Sequence, residues 1–220
     1  MKGEYIVDLL ERMAYKDEIT MAYPSSSSIS WKAYREAEQL QCPEYIPILV
    51  NLIQKNPEKK HQKMRDNAYF ILGKLLAKYE DNKSLSFFIN QLGYENNKYI
   101  LSQMLDRLKD ITIPDCVDII PIIVKTKSDQ WLVFTSAISV LKNSRDIRGK
   151  DRILEILNQP YDKKYKYAFT SSLYALGTLG NKEDIPLLEK YKASRIKDIK
   201  DCSQYAISKI LQHTNKSNIE

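Results

Sequence analysis

Two short phrases recur along this 220-residue chain and interleave with one another. The first is Ile-Pro followed by two aliphatics, at Ile46-Pro47-Ile48-Leu49, Ile120-Pro121-Ile122-Ile123 and Ile185-Pro186-Leu187-Leu188, with prolines 74 and 65 residues apart. Each interval is about twice a period in the middle thirties. The skipped positions hold the apolar helical faces that begin at Ser84 (SLSFFINQL) and Lys150 (KDRILEIL). The second phrase is Ala175-Leu176-Gly177-Thr178-Leu179, matched by Ala137-Ile138-Ser139-Val140-Leu141 and Ala206-Ile207-Ser208-Lys209-Ile210. Ile71–Leu75 and Met104–Leu108 fit it more loosely, giving anchors at 72, 105, 138, 176 and 207 and steps of 33, 33, 38 and 31. A chain written this way stacks copies of one unit, because a single unit cannot bury its apolar face alone.

Apolar residues three and four apart identify the copies as helix pairs. First helices are expected near 4–16, 43–55, 83–93, 115–126, 147–158 and 182–192, and their partners near 29–41, 60–79, 96–110, 129–143, 162–179 and 196–212. Only 6 glycines and 8 prolines leave little material for the tight turns of an all-β fold. Ser128, Asp129 and Asp184 read as caps or first-turn residues. Thr20–Ser28, with its YPSSSS run, reads as a polar loop rather than a domain boundary.

Composition narrows the function classes. No apolar run approaches the roughly 20 residues that span a bilayer, and the N-terminal stretch has acids inside it, so neither a membrane helix nor a secretory signal is expected. Cys42, Cys116 and Cys202 are odd in number and far apart, which fits a reducing cytoplasm better than a disulfide framework. The net charge of +6 lies wholly in the last third: residues 140–220 hold 16 Lys/Arg against 10 Asp/Glu, whereas 1–139 hold 18 of each. Such a surface attracts acidic partners, protein or nucleic acid.

The paired phrases, with ALGTLGNKEDIPLLEKY joining one pair to the next, resemble HEAT repeats in the bacterial style also found in phycobilisome lyases. The resemblance covers most of the chain, is strongest from Trp131 onward and is weakest before Pro43. It implies an all-α, right-handed superhelical solenoid of about six antiparallel helix pairs, not a particular activity. The expected organisation is one repeat domain over residues 1–213 and a polar tail over 214–220.

Residues with candidate chemistry are few. Gly177 and Gly180 are spaced like a phosphate clamp, but they end a helical phrase whose other copies carry Ser139, Ser208 or Asp106 at the Gly177 position. Close helix crossing accounts for Gly177, and a left-handed C-terminal cap for Gly180. With only His61 and His213, neither followed by Glu, the His-Glu pairs of the iron-dependent HEAT-repeat hydroxylases are missing. No metal and no cofactor are expected. The alkylpurine DNA glycosylases of similar architecture use tryptophan and a carboxylate on a basic groove, and Asp129 and Trp131 in SDQWLVF are the residues to which that likeness would give such roles. Trp31 lies about three repeats away, the tandem tryptophan-aspartate segment of that family is missing, and the plainer reading makes Asp129 a helix-dipole charge and Trp131 a packing residue.

The stretch YDKKYKYAF sets Lys163, Lys164 and Lys166 among Tyr161, Tyr165 and Tyr167 at the start of a second helix. Lys190, Lys192, Arg195, Lys197 and Lys200 surround the next turn, and consecutive repeats would bring both clusters to one rim. Tyr161, Lys163, Lys164, Tyr165, Lys166, Arg195, Lys197 and Lys200 are therefore the candidate binding residues. The expected function is a monomeric, non-enzymatic scaffold that docks a protein partner with an acidic surface in a concave groove lined by the second helices. Nucleic-acid binding through the basic rim is the alternative.

Overall fold

The computed structural model describes residues 2–16, 25–144 and 146–216. It contains twelve α-helices among them, close to the positions the repeats prescribe. The chain divides into two compact units, residues 1–94 and 95–220, and the boundary falls between the helices of the third expected pair.

The first unit holds α1 (Lys2–Ala14), α2 (Ile29–Gln39), α3 (Tyr45–Lys55), α4 (Gln62–Leu76) and α5 (Asn82–Gln91). In α1, Ile6, Leu9, Leu10 and Met13 recur at helical spacing and are almost wholly buried against α2, α3 and α4. Burial of each such side chain is worth about 1.5–3 kcal/mol. Helix α4 is the centre of the unit, with every residue from Ala68 to Gly73 buried. Two polar residues are carried inside with it. The Arg65 guanidinium donates to the carbonyls of Asn56 and Glu58, each at 2.8 Å, and closes the turn before α4. Asn67 donates to the Leu10 carbonyl at 3.3 Å and accepts from the Tyr34 hydroxyl at 2.8 Å. Buried amides and guanidinia are tolerated when so partnered. The Ser28 hydroxyl caps α2 through the Trp31 amide, and the Asp81 carboxylate caps α5 through the Ser84 amide. Part of the expected loop 20–28, residues 20–24, lies outside the described residues.

The second unit holds α6 (Lys98–Leu108), α7 (Ile120–Lys125), α8 (Trp131–Leu141), α9 (Ile147–Leu157), α10 (Lys166–Leu179), α11 (Ile185–Lys192) and α12 (Lys197–Lys216). The second helices α6, α8, α10 and α12 pack side by side in that order, while α7, α9 and α11 lean on α8, α10 and α12. Small residues set the spacing. A methyl group on Gly177 would sit 2.8 Å from the Ala206 Cα, so α10 and α12 cross where neither can carry a larger side chain. The crossing expected from the sequence is present.

Two expectations need correction. Gly180 is not in a left-handed cap: its φ is −78° and ψ 166°, and no described glycine has positive φ. Crowding selects glycine there, since a Cβ would fall 2.5 Å from the Leu176 carbonyl oxygen and 2.9 Å from Ile210 Cδ1. The helix expected over 115–126 is reduced to Ile120–Lys125. Residues before it include Pro114, and Ile113 forms an isolated parallel bridge with Ser144 instead. The Asp118 carboxylate then accepts the Ile120 amide and Pro121 occupies the first turn, where its missing N–H is harmless.

Candidate interaction surface

The sequence-selected rim lies at the starts of α10 and α12. Asp162 accepts the Lys164 amide and turns residues Lys163–Tyr165 into a 3-10 step that feeds α10. That step separates the candidate residues into two kinds. Tyr161 and Tyr165 are half-buried anchors: Tyr161 meets Phe169 edge-on at 5.3 Å, and Tyr165 meets Phe134 edge-on at 5.5 Å. Lys163 and Lys164 point outward, the Lys164 ammonium 5.0 Å from the Tyr165 ring centre.

Lys166 is already matched. Its ammonium bonds the Asp198 carboxylate, joining the first turns of α10 and α12, and holds that carboxyl below its usual range. This pair brings the two clusters together, with Arg195, Lys197 and Lys200 exposed beside it. The cations that face solvent are therefore Lys163, Lys164, Arg195, Lys197 and Lys200, and Lys166 is a strut.

At the start of α8 the expected roles change. The Ser128 hydroxyl accepts the Gln130 amide, while Asp129 is exposed, and Gln130, the residue at the cap itself, makes no side-chain cap bond. Trp131 is 54 % exposed rather than packed, and its ring tilts against Tyr167 at 5.8 Å. The groove of about 370 Å3 next to this turn is lined by Ser128 and Gln130, and not by Asp129 or Trp131. Trp31 belongs to the first unit, where Arg35 stands 5.6 Å from its ring centre.

Trp131 is part of a larger pattern. Tyr99, Trp131 and Tyr167 occupy the first turns of α6, α8 and α10, one per second helix, with exposures of 67, 54 and 61 %. Further along α10 and α12, Tyr174 and Tyr205 stack at 4.8 Å with planes 6° apart and share a hydroxyl hydrogen bond of 3.2 Å. Each of these tyrosines has an ammonium close to its ring: Lys98 by Tyr99, Lys166 by Tyr167, Lys142 by Tyr174 and Lys209 by Tyr205, all between 5.1 and 5.9 Å. A ring quadrupole attracts such cations by about 0.5–1 kcal/mol at exposed sites. The stacked pair was within reach of the sequence, because Tyr174 and Tyr205 immediately precede the recurring phrase at Ala175 and Ala206.

Other chemistry is sparse. Among the described residues no three His, Cys, Asp or Glu side chains stand close enough to hold a metal ion, and the three cysteines are free thiols. His213 lies on the Gly177 carbonyl at 3.2 Å. No helix among the described residues is long and apolar enough to cross a membrane.

No protein-family model matches the chain, and no curated protein matches it. Among solved structures it is similar to a designed armadillo repeat protein, with a TM-score of 0.52, 14 % identity and coverage of 93 % of this chain and 99 % of that one. At that identity the likeness concerns the fold alone, and together with the twelve helices it makes this chain an all-α solenoid of helical repeats.

Proposed function

We propose that this protein is a non-enzymatic binding scaffold of the HEAT type that acts as a monomer and docks an acidic protein partner on the second helices of residues 95–220. The observation that carries this reading is the exposed row Tyr99, Trp131 and Tyr167 with lysines beside it. Large exposed rings grouped on one side of a helical layer are the usual anchors of protein interfaces, since they bury much area at small entropic cost. The neighbouring cations Lys163, Lys164, Arg195, Lys197 and Lys200 favour an acidic surface and speed its approach. A rigid repeat layer adds little ordering cost on binding.

The test is affinity capture with the full chain, followed by titration of the captured protein against variants. Trp131→Ala or Tyr167→Ala weakens binding roughly tenfold or more. Lys163→Ala with Lys164→Ala weakens it about tenfold at low salt and much less at high salt. A partner whose affinity none of these changes contradicts the reading.

Rings flanked by lysines also suit single-stranded nucleic acid, which stacks bases on aromatics and neutralises phosphates with lysines. Binding of that kind weakens steeply with salt. Tight binding of a random oligonucleotide at about 20 mM salt, lost on replacing Lys163 and Lys164 by alanine, would favour this second reading over the protein partner.

A further inference from the structure

A different groove lies in the first unit. On α1, Glu4, Asp8 and Glu11 are four and three residues apart and line up along one ridge about 10 Å long. Facing that ridge, α3 contributes Ile48, Asn51 and Leu52, also at helical spacing, and Val7, 40 % exposed, joins them as apolar lining. The groove between the two helices encloses about 490 Å3. One end is open at Gly3, where a side chain would meet nothing within 4 Å.

The ridge is acidic in sum, with Glu4, Asp8 and Glu11 against Lys2 and Arg12 in α1, and Glu36 and Glu44 stand beside those two cations. The only cations of α1 are engaged: Lys2 pairs with Glu44, and Arg12 is divided between Asp8 and Glu36. Glu4 and Glu11 are exposed beside an apolar surface. Two ridges, one acidic and one mainly aliphatic, fit a helix that lays its own apolar stripe over Val7 and Leu52 and turns basic residues toward α1. The chain's own basic rim does not have that form, because Lys163 and Lys164 sit in a 3-10 step among tyrosines rather than beside an aliphatic stripe.

We propose that the α1–α3 groove binds a basic amphipathic helix of a partner protein. The scaffold then carries two docking sites of opposite sign, one in each unit, and can hold two partners that do not compete for the same charge.

A fluorescently labelled helical peptide of leucine and lysine, about 18 residues long, serves as the probe, with a leucine–glutamate peptide of the same pattern as its control. Anisotropy with the full chain should show binding of the lysine peptide alone. Val7→Asn should weaken it roughly tenfold, and Glu4→Gln with Glu11→Gln several-fold at about 20 mM salt, with a flatter salt dependence. Lys163→Ala with Lys164→Ala should leave this affinity unchanged, which separates the groove from the proposed site on the second unit. All five positions are exposed, so thermal melts of the variants should stay close to the parent. Equal binding of the glutamate peptide, or no loss in the Val7 and glutamate variants, overturns the proposal. Self-association that Val7→Asn dissolves would overturn the choice of occupant in favour of a second copy.

Discussion

Residues 1–94 hold 13 Lys/Arg against 12 Asp/Glu, and residues 95–220 hold 21 against 16. The two units share one helix-pair plan but place charge differently. In the first, charged side chains cross-link helices: Arg12 clasps Glu36 through both guanidinium nitrogens at 2.7 and 3.1 Å, Tyr5 donates to the same carboxylate, and Arg65 closes a turn from inside. In the second, small and neutral groups close most of the interior, although Arg152 donates to the Thr126 hydroxyl and carbonyl and Lys166 ties α10 to α12. Gly177 lies on Ala206, Ser102 on Ser136 and Ser203 on the Leu188 carbonyl, with Lys150–Asp184 as a shielded ion pair. Many of its remaining cations lie outside, next to exposed rings. A basic residue tied into a helix junction is part of the fold, as Lys166 is through Asp198 even beside the exposed Tyr167, whereas Lys163 and Lys164 on the 3-10 step face solvent.

That contrast can be broken by substitution. The largest effect is expected in the interior of the second unit: Gly177→Leu forces α10 and α12 apart and should cost about 3 kcal/mol or more. A differential scan should show a melting temperature lower by roughly 6 °C or more. In the first unit, Arg65→Leu removes a donor from two carbonyls and should cost about 2–3 kcal/mol, measured by urea unfolding. By contrast, Lys163→Ala with Lys164→Ala should change stability by no more than about 0.5 kcal/mol. If the double lysine variant destabilises as much as Arg65→Leu, the distinction between structural and recognition charge fails.

The smallest effect concerns pH and belongs to the first unit. Hydrogen bonding from Arg12 holds the Glu36 carboxyl below its usual value of 4.5, so its stabilisation is present above that value and fades as acid carries the pH below the lowered one. Burial and the bond to Glu36 push the Tyr5 phenol from 10.0 up to about 12, so its contribution is complete below 10 and is lost as the pH rises through about 12. Both groups are half-buried and still reached by solvent, which keeps the effect small. Tyr5→Phe should flatten the alkaline fall in melting temperature by a degree or so and leave the neutral plateau almost unchanged.

The repeats made most of the fold legible, because helical periodicity and a period in the thirties are local signals. All twelve helices lie near their expected places, and the crossing at Gly177 follows from the small residues at its counterparts. The local signal failed at Gly180, where glycine is required by the approach of the Leu176 carbonyl oxygen, and then of Ile210, rather than by a left-handed cap, and at 115–119, where apolar spacing suggested helix although Ile113 pairs with Ser144. The rim was legible as a cluster but not in its internal division. Whether Lys166 faces solvent depends on Asp198, thirty-two residues on, and the sequence does not register that pair. The row through Tyr99 escaped notice because its members are joined only when successive helices lie side by side.

The central claim is that the lysine-flanked aromatic face of residues 95–220 binds a protein. The most direct measurement is quantitative affinity capture from native extract with the wild-type chain, with Trp131→Ala/Tyr167→Ala, and with Lys32→Ala as a control in the first unit. The account predicts a near-stoichiometric protein partner, retained by the control and reduced about tenfold or more by the double aromatic variant. Equal recovery with all three chains, or recovery of nucleic acid in place of protein, would contradict it.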